Sequence, residues 1–402
     1  MKKIAVVVQR CGKEVLGGSE GYAVQMAEVL SNSYAVDNLT TTAKDFITWK
    51  NYYEEGVEEI TGKLKIARFS VDFERKIYWH ELHLILFKGM DHGTFSGFDP
   101  ETKEYYLKPI KNAPIGFAEE WVKHGGPYSS HLLNYIKENQ DSYDKFLFMT
   151  CLYPTTYFGI DMVDDKEKIF IAPTMHDEPV AYLSVFLKYS KYKFLFLTKA
   201  EKELASTIFR CGSDADVIGF GMQDKSNGIE NCNKHEKYIL YAGRLEGEKG
   251  VDKLYDFFVR FSKKYPDIKL YTIGDGPLKN YKHKNVKYLG FISEGEKISV
   301  MKHALAFIHP SAYESLGTVL LEAFMAGTPA LVNNRCQVLK EHVLNSQGGF
   351  TYDSYEDFEE GLLRIINDEI LRETLSGNAR GYFLNNYSLD VYRDKLLRIL
   401  NR

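Results

Sequence analysis

The sequence predicts two doubly wound α/β domains in tandem. Three observations point there. The chain has 402 residues, more than one hydrophobic core ordinarily serves. Short apolar runs alternate with amphipathic helical stretches, the pattern of a parallel sheet covered on both faces. That rhythm lapses into a polar stretch, QDKSNGIENCNKHEK (Gln223–Lys237), and then restarts.

The first run, Ile4–Gln9, follows a basic MKK start and so imitates an export signal. It is too short for one, and Gln9 and Arg10 close it, so a buried parallel strand fits better. Further strands are expected at Ala35–Thr41, Leu64–Phe69, Phe146–Thr150, Ile169–Pro173, Phe194–Thr198 and Ala215–Gly219. Glu20–Ser31 and Ser130–Asn139 read as amphipathic helices between them. Residues 70–130 interrupt the rhythm as an aromatic-rich insertion of helices and loops. Past the polar stretch, strands are expected at Tyr238–Gly243, Lys269–Gly274, Val286–Leu289, Ala306–His309 and Ala330–Val332. The boundaries fall at 1–222 and 223–385, with a last segment at 386–402. Ligands of such sheets bind at the carboxyl ends of strands, and two facing halves make a cleft.

Composition narrows the class. Apolar residues make 44% and charged residues 26%, as in ordinary soluble proteins. The net charge of −4 gives no general pull toward nucleic acid or anionic lipid. Five cysteines without C-x-x-C spacing argue for a reduced compartment, with neither disulfides nor zinc. No stretch reaches the roughly 18 apolar residues of a membrane span. A soluble cytoplasmic protein is the expectation.

The segment HPSAYESLGTVLLEAFMAGTP (His309–Pro329) places Glu322 inside an otherwise apolar helix. The helix should start near Gly317 and end at Gly327, which suits a left-handed cap. Amides at its start can hold an anion, and Gly317 permits close approach. A buried carboxylate needs a partner. A ribose diol would supply two donors; an arginine across an interface would serve as well. Glu314, on the preceding loop, can meet a sugar hydroxyl or simply sit at the surface.

Four other stretches carry weaker signals. In YAGRLEGEKGVDKL, Arg244 and Lys249 share a strand-to-helix loop, which suits a diphosphate. Taken alone, two solvated charges explain them more simply. YTIGDGPL (Tyr271–Leu278) is a glycine turn that needs no ligand. RCGKEVLGGSEGYAVQ fits neither the dinucleotide nor the P-loop fingerprint, although Gly17 and Gly18 let a backbone approach phosphate and Glu20 can be a cap. APTMHDEP sets His176 at a strand's carboxyl end, where a structural and a functional histidine are equally expected. No nucleophile elbow, H-E-x-x-H or metal-spaced cluster accompanies it, so no metal and no cofactor are expected.

Taken together and in order, E-S-L-G-T-V-L-L-E with its E-x7-E spacing, GR followed by KG, GDGP, GGSE and the HD after a strand resemble the retaining glycosyltransferases of GT-B fold, in particular glycosyltransferase family four. The resemblance spans nearly the whole chain and is strongest over residues 236–335. Residues 9–82 are similar to a bacterial branch linked to surface polysaccharide assembly. The resemblance implies two Rossmann-like domains facing a cleft, with the acceptor on the first and the donor on the second. The final helix would cross back to the first. Glu322 would hold the donor ribose, Glu314 the donor sugar, and Arg244 and Lys249 the diphosphate. Ser315, Leu316, Gly317, Thr318 and Val319 would bind phosphate or sugar, and Gly17 and Gly18 would approach the phosphate. Gly243 and Gly274 would line the pocket, with Gly290 and Phe291 near the base. His176 would touch the sugar near the reacting carbon.

The implied reaction moves a sugar from a UDP- or GDP-type donor to a glycan, lipid-linked or small-molecule hydroxyl with retention. A lipid-linked acceptor would bring the protein to the inner membrane face. Other readings are a nucleotide-sugar epimerase, a DNA-modifying transferase, against which the mild acidity weighs, and a silent partner of another transferase. Two features depart from the family pattern. The hinge reads VIGFGMQ in place of a PNG-like turn, and the insertion at 70–130 is long.

Overall fold

The computed structural model describes every residue apart from 1, 13, 16, 88–94, 96–97, 212–215, 227–235 and 315. The chain divides into two compact units, Met1–Gly219 with Arg393–Arg402, and Phe220–Tyr392.

The first unit is built on eight strands: β1 (Lys3–Arg10), β2 (Ala35–Thr41), β3 (Gly56–Thr61), β4 (Leu64–Phe69), β5 (Lys145–Met149), β6 (Ile169–Ala172), β7 (Lys193–Phe196) and β8 (Asp216–Val217). Their order is β3-β4-β2-β1-β5-β6-β7-β8. All neighbours pair in parallel except β3, which runs antiparallel to β4 at the edge. Ile4–Val8 are fully buried, as a central strand covered on both faces requires. β3 is fully exposed and reads GVEEIT. Its charges suit an unpaired edge and erase the apolar signal, so the sequence reading omits it. The expected strand at Ala215–Gly219 is described only as Asp216–Val217, its first residue lying outside the described set. Within the insertion lie helices Ile77–Phe87, Pro100–Lys111 and Ile115–Gly125. Pro100–Lys111 starts where Asp99 accepts from the amides of Glu101 and Thr102 and a proline takes the first position.

The second unit holds β9 (Tyr238–Ala242), β10 (Lys269–Ile273), β11 (Val286–Gly290), β12 (Phe307–His309), β13 (Ala330–Asn333) and β14 (Gly349–Tyr352). Their order, β11-β10-β9-β12-β13-β14, is parallel throughout. Read from the unit's first strand, this is the 3-2-1-4-5-6 order of a dinucleotide-type sheet, whose crevice opens between β9 and β12. In the first unit the corresponding reversal lies between β1 and β5. The segment ahead of residue 227 is anchored to the second unit. Arg380 binds the Asp224 carboxylate at 2.5 Å, and the Met222 amide donates to the Tyr387 carbonyl at 2.7 Å.

Candidate functional site

The loops after β9 and β12 meet at the crevice of the second unit. After β9 the chain passes Gly243 and Arg244, makes a short turn at Gly247–Lys249, and enters helix Val251–Lys264 through Gly250. Gly250 has φ +72°, and a Cβ there would lie 2.6 Å from the Pro310 carbonyl oxygen. Only glycine lets the two loops approach this closely. The Tyr241 hydroxyl donates to the Arg244 carbonyl at 2.7 Å, and Asn333 Nδ2 donates to the Pro310 carbonyl at 2.9 Å. These bonds fix both loops from below.

Across that junction Lys249 Nζ lies 2.7 Å from Glu314 Oε1. His309 Nε2 is 3.9 Å from the same oxygen. Burial pushes the His309 imidazole down to about 4, so it is neutral near pH 7 and adds no charge to the pair. Arg244 is largely exposed and pairs with Glu246 at 2.9 Å. The spacing R-x4-K therefore brings Lys249 to Glu314 and leaves Arg244 at the solvent edge.

Helix Thr318–Met325 begins at Gly317, which is left-handed at φ +70°. It starts where the sequence predicts, and Gly327, at φ +77°, follows it as a left-handed terminator. Ser315 lies outside the described residues. Leu316 is held by a residue that the motifs do not reveal: His342 Nε2 donates to the Leu316 carbonyl at 2.8 Å, while the Tyr382 hydroxyl donates to its Nδ1 at 3.1 Å. Burial holds His342 at about 4, the neutral form this pattern of one donor and one acceptor needs. His342 sits on an unremarkable helix, and no local signal marks it.

Glu322, one turn into the helix, answers the oddity of a carboxylate in an apolar run. Its Oε1 accepts from Lys297 Nζ at 2.7 Å. Its Oε2 is buried without a hydrogen-bond partner among the described residues. The partner is thus a lysine of helix Glu294–His303, and it satisfies one oxygen of two. A carboxylate oxygen buried without a donor is costly unless a ligand completes it.

The glycine turn after β10 has a packing cause. A Cβ on Gly274, at φ +129°, would lie 1.9 Å from the Gly243 carbonyl oxygen. The Gly274 amide also donates to the Gly290 carbonyl at 3.1 Å. The three glycines therefore share one edge, with Phe291 beside them and 83% exposed. Gly274→Ala is expected to cost about 3 kcal/mol or more, since backbone must give way, and should lower the urea midpoint accordingly.

Gly17, Gly18 and His176 belong to the first unit. Gly17 is extended, and a Cβ there would lie 2.0 Å from Glu20 Oε2. That carboxylate is not a helix cap. It accepts from Arg10 Nε at 2.6 Å and Gln9 Nε2 at 3.1 Å. Gly18 opens helix Gly18–Ser31, and a Cβ there would meet nothing within 4 Å. His176 is half-buried on the loop after β6. That loop is tied down by Glu201, which accepts from the Met175 amide at 2.9 Å and the Leu197 amide at 2.7 Å. Burial pushes Glu201 up to about 7. Its signal was present as the T-x-x-E of Thr198 and Glu201, where Thr198 caps helix Lys199–Phe209.

The two buried histidines predict a pH response. Their folded pKa of about 4 lies below the ordinary value of about 6.5. Between those values these two histidines bind more protons in the unfolded chain, so their contribution to stability rises with pH, against the opposite contribution of Glu201 and Glu178, which burial lifts to about 7. Acidification from about pH 7.5 to 4 should remove on the order of 3 kcal/mol for each. His342→Gln, which keeps a donor for Leu316, should remove one histidine's share of the rise with pH, read as the difference from wild type in urea titrations at several pH values.

Among the described residues no helix is long and apolar enough to cross a membrane, and no cluster of three or more His, Cys, Asp or Glu has metal-binding geometry. Residues 222–382 match the family described as glycosyl transferases group 1. The capsular polysaccharide biosynthesis glycosyltransferase CapM of Staphylococcus aureus is 28% identical over 213 residues, 46% of this chain and 54% of that protein. An uncharacterized glycosyltransferase of Methanocaldococcus jannaschii is 31% identical over 240 residues, 52% of this chain and 59% of that protein. The match thus spans a little over half the length of either relative. The solved structure titled "Trehalose-6-phosphate from E. coli bound with UDP-2-fluoro glucose" aligns with 100% of this chain and 99% of its own, at a TM-score of 0.65 and 10% identity. That likeness is one of fold.

Proposed function

We propose, for a chain of GT-B fold whose second unit carries the group 1 glycosyl transferase domain, that it moves a sugar from a nucleotide-diphosphate-sugar to a hydroxyl acceptor with retention. The observation that carries this reading is Glu322, a carboxylate with one oxygen on Lys297 and the other buried without a partner among the described residues. It lies one turn inside a helix whose amide end suits a phosphate. A ribose diol would complete it. The diphosphate would then lie toward Gly317–Val319 and Lys249, and the sugar toward Glu314.

In this reading Lys249 stabilises charge on the departing diphosphate, the term that usually dominates such catalysis. The acceptor hydroxyl attacks from the leaving-group face, and a phosphate oxygen takes its proton. Glu314 orients the donor sugar and shares Lys249 with the diphosphate. His176 would contact the sugar, and Gly17 and Gly18 the phosphate. The donor base would rest near Gly290 and Phe291. A UDP- or GDP-type donor and a place in glycan or surface polysaccharide assembly follow from the same reading, which the relation to CapM supports. The acceptor would be a glycan, a lipid-linked sugar or a small molecule.

The test is thermal unfolding of the whole chain with UDP, GDP, ADP and CMP, followed by transfer from the sugar conjugate of whichever stabilises it. A ligand at 100 times its Kd adds about 2.7 kcal/mol. Stabilisation by one nucleotide class and an anomer retained in the NMR spectrum of the product are expected. No stabilisation by any nucleotide would overturn the reading.

A further inference from the structure

The first unit holds a second constellation, which the donor site does not use. It lies at the carboxyl ends of β1, β2 and β5, where the strand order reverses. Arg75 is half-buried there. Its guanidinium stacks 4.2 Å from the Trp79 ring centre and 5.5 Å from that of Trp49. One terminal nitrogen donates to the Gly125 carbonyl, and Nε is buried with no acceptor among the described residues. Arg75 forms no ion pair with any described residue. Two other arginines nearby do: Arg10, at the end of β1, binds Glu20 at 2.6 Å, and Arg68, on β4, binds Glu58 at 2.7 Å. The carboxylate whose field reaches Arg75 is Asp45. That group is spent on the amides of Ile47 and Thr48 at 2.8 and 2.6 Å.

Tyr153, on the loop after β5, packs edge-on against Trp49 at 5.3 Å. Its hydroxyl makes no hydrogen bond among the described residues. Burial and then the negative field of Glu20 push this phenol up to about 12, with Arg10 and Arg75 acting against them and Glu178 adding to them. Trp49 holds φ +59°, a conformation that a bulky residue rarely adopts, and its indole donates to the same Gly125 carbonyl at 3.0 Å. If Arg75 only anchored Gly125, a second donor to that carbonyl would be redundant and a spare phenol beside it would have no cause. A rigid, uncompensated guanidinium beside an unspent hydroxyl on an aromatic platform is the chemistry that grips an oxyanion on a sugar.

We propose that Arg75 and Tyr153 bind an oxyanion carried by the acceptor, either the carboxylate of an acidic sugar or a sugar phosphate. This rests on the transferase reading for the word acceptor, but the site itself is tested without any transfer. The full chain is titrated calorimetrically at fixed ionic strength with glucuronate, glucose 1-phosphate and glucose. At least one of the two anions should bind ten times more tightly than glucose. Arg75→Gln should weaken it at least tenfold, Arg75→Lys less, and Tyr153→Phe about threefold. Glucuronate alone would identify an acidic sugar, and glucose 1-phosphate alone a phosphosugar.

Nucleotide stabilisation, which depends on Glu322, should be unchanged in all three variants, so failure of the donor reading and failure of this one appear in different columns. No anion binding, glucose binding equally well, or full binding by Arg75→Gln would overturn the proposal. Should Arg75→Gln unfold, Tyr153→Phe and Arg75→Lys decide it, and anion binding unaffected in both would overturn it.

Discussion

Glu322→Ala is expected to abolish nucleotide binding while the chain stays folded. Two hydrogen bonds from a ribose to a carboxylate are worth about 1.5–3 kcal/mol each. Their loss should weaken binding by roughly two to four orders of magnitude. The stability cost is smaller. Glu322 and Lys297 have side chains 15% and 24% exposed, so water already screens their 2.7 Å pair, and about 1 kcal/mol is expected. The sharper test removes the ligand's half of the contact. The wild type should prefer the ribonucleotide over its 2′-deoxy analogue by at least tenfold, and Glu322→Ala should not distinguish them. That coupling in a double-mutant cycle belongs to the diol–carboxylate contact and not to a general loosening of the pocket. Discrimination that persists in the variant would place the ribose elsewhere.

How much of this was legible depends on the distance over which each residue finds its partner. Strands buried on both faces announce themselves: Ile4–Val8 and Tyr238–Ala242 are apolar without interruption and lie at the centre of their sheets. β3 was not legible, because an exposed edge strand is selected for charge and carries no burial pattern. β14 was also missed; four residues, GFTY, are too few for a period to emerge. Glu322 was legible as an anomaly, since an apolar helix does not take a carboxylate without cause. Lys297, 25 residues earlier on a polar helix, was not legible as its partner. His342 acts through the Leu316 carbonyl, distant in sequence, so no local spacing encodes it, whereas Glu201 carried a local T-x-x-E signal and only its reach to the Met175 amide was hidden. The GDGP turn was legible as glycine. Its cause, a backbone contact with Gly243, appears only when β9 and β10 are placed side by side.

Lys249→Ala should lower kcat by about two to three orders of magnitude, the loss usual when a preorganised donor to a developing anion is removed. KM should change far less, since charge builds on the diphosphate mainly in the transition state. A purely structural pair would behave differently. Lys249 and Glu314 are 23% and 17% exposed, so their 2.7 Å contact is worth about 1 kcal/mol to stability, and breaking it would act through the fold alone. In that case Lys249→Ala, Glu314→Gln and the double variant would lose equal activity, because the second change would find nothing left to break. If each side chain touches the donor separately, the double variant should be worse than either single one.

Lys249→Arg adds a second discrimination. A loop held by Gly250 against the Pro310 carbonyl has no room to shift for a longer planar fork, so arginine should restore the charge and not the geometry. Partial stability rescue without recovery of kcat is therefore the expected result, measured by urea unfolding and steady-state transfer on the same preparations. Recovery of both would mean that charge alone suffices, and that the close approach of the two loops serves folding and not catalysis.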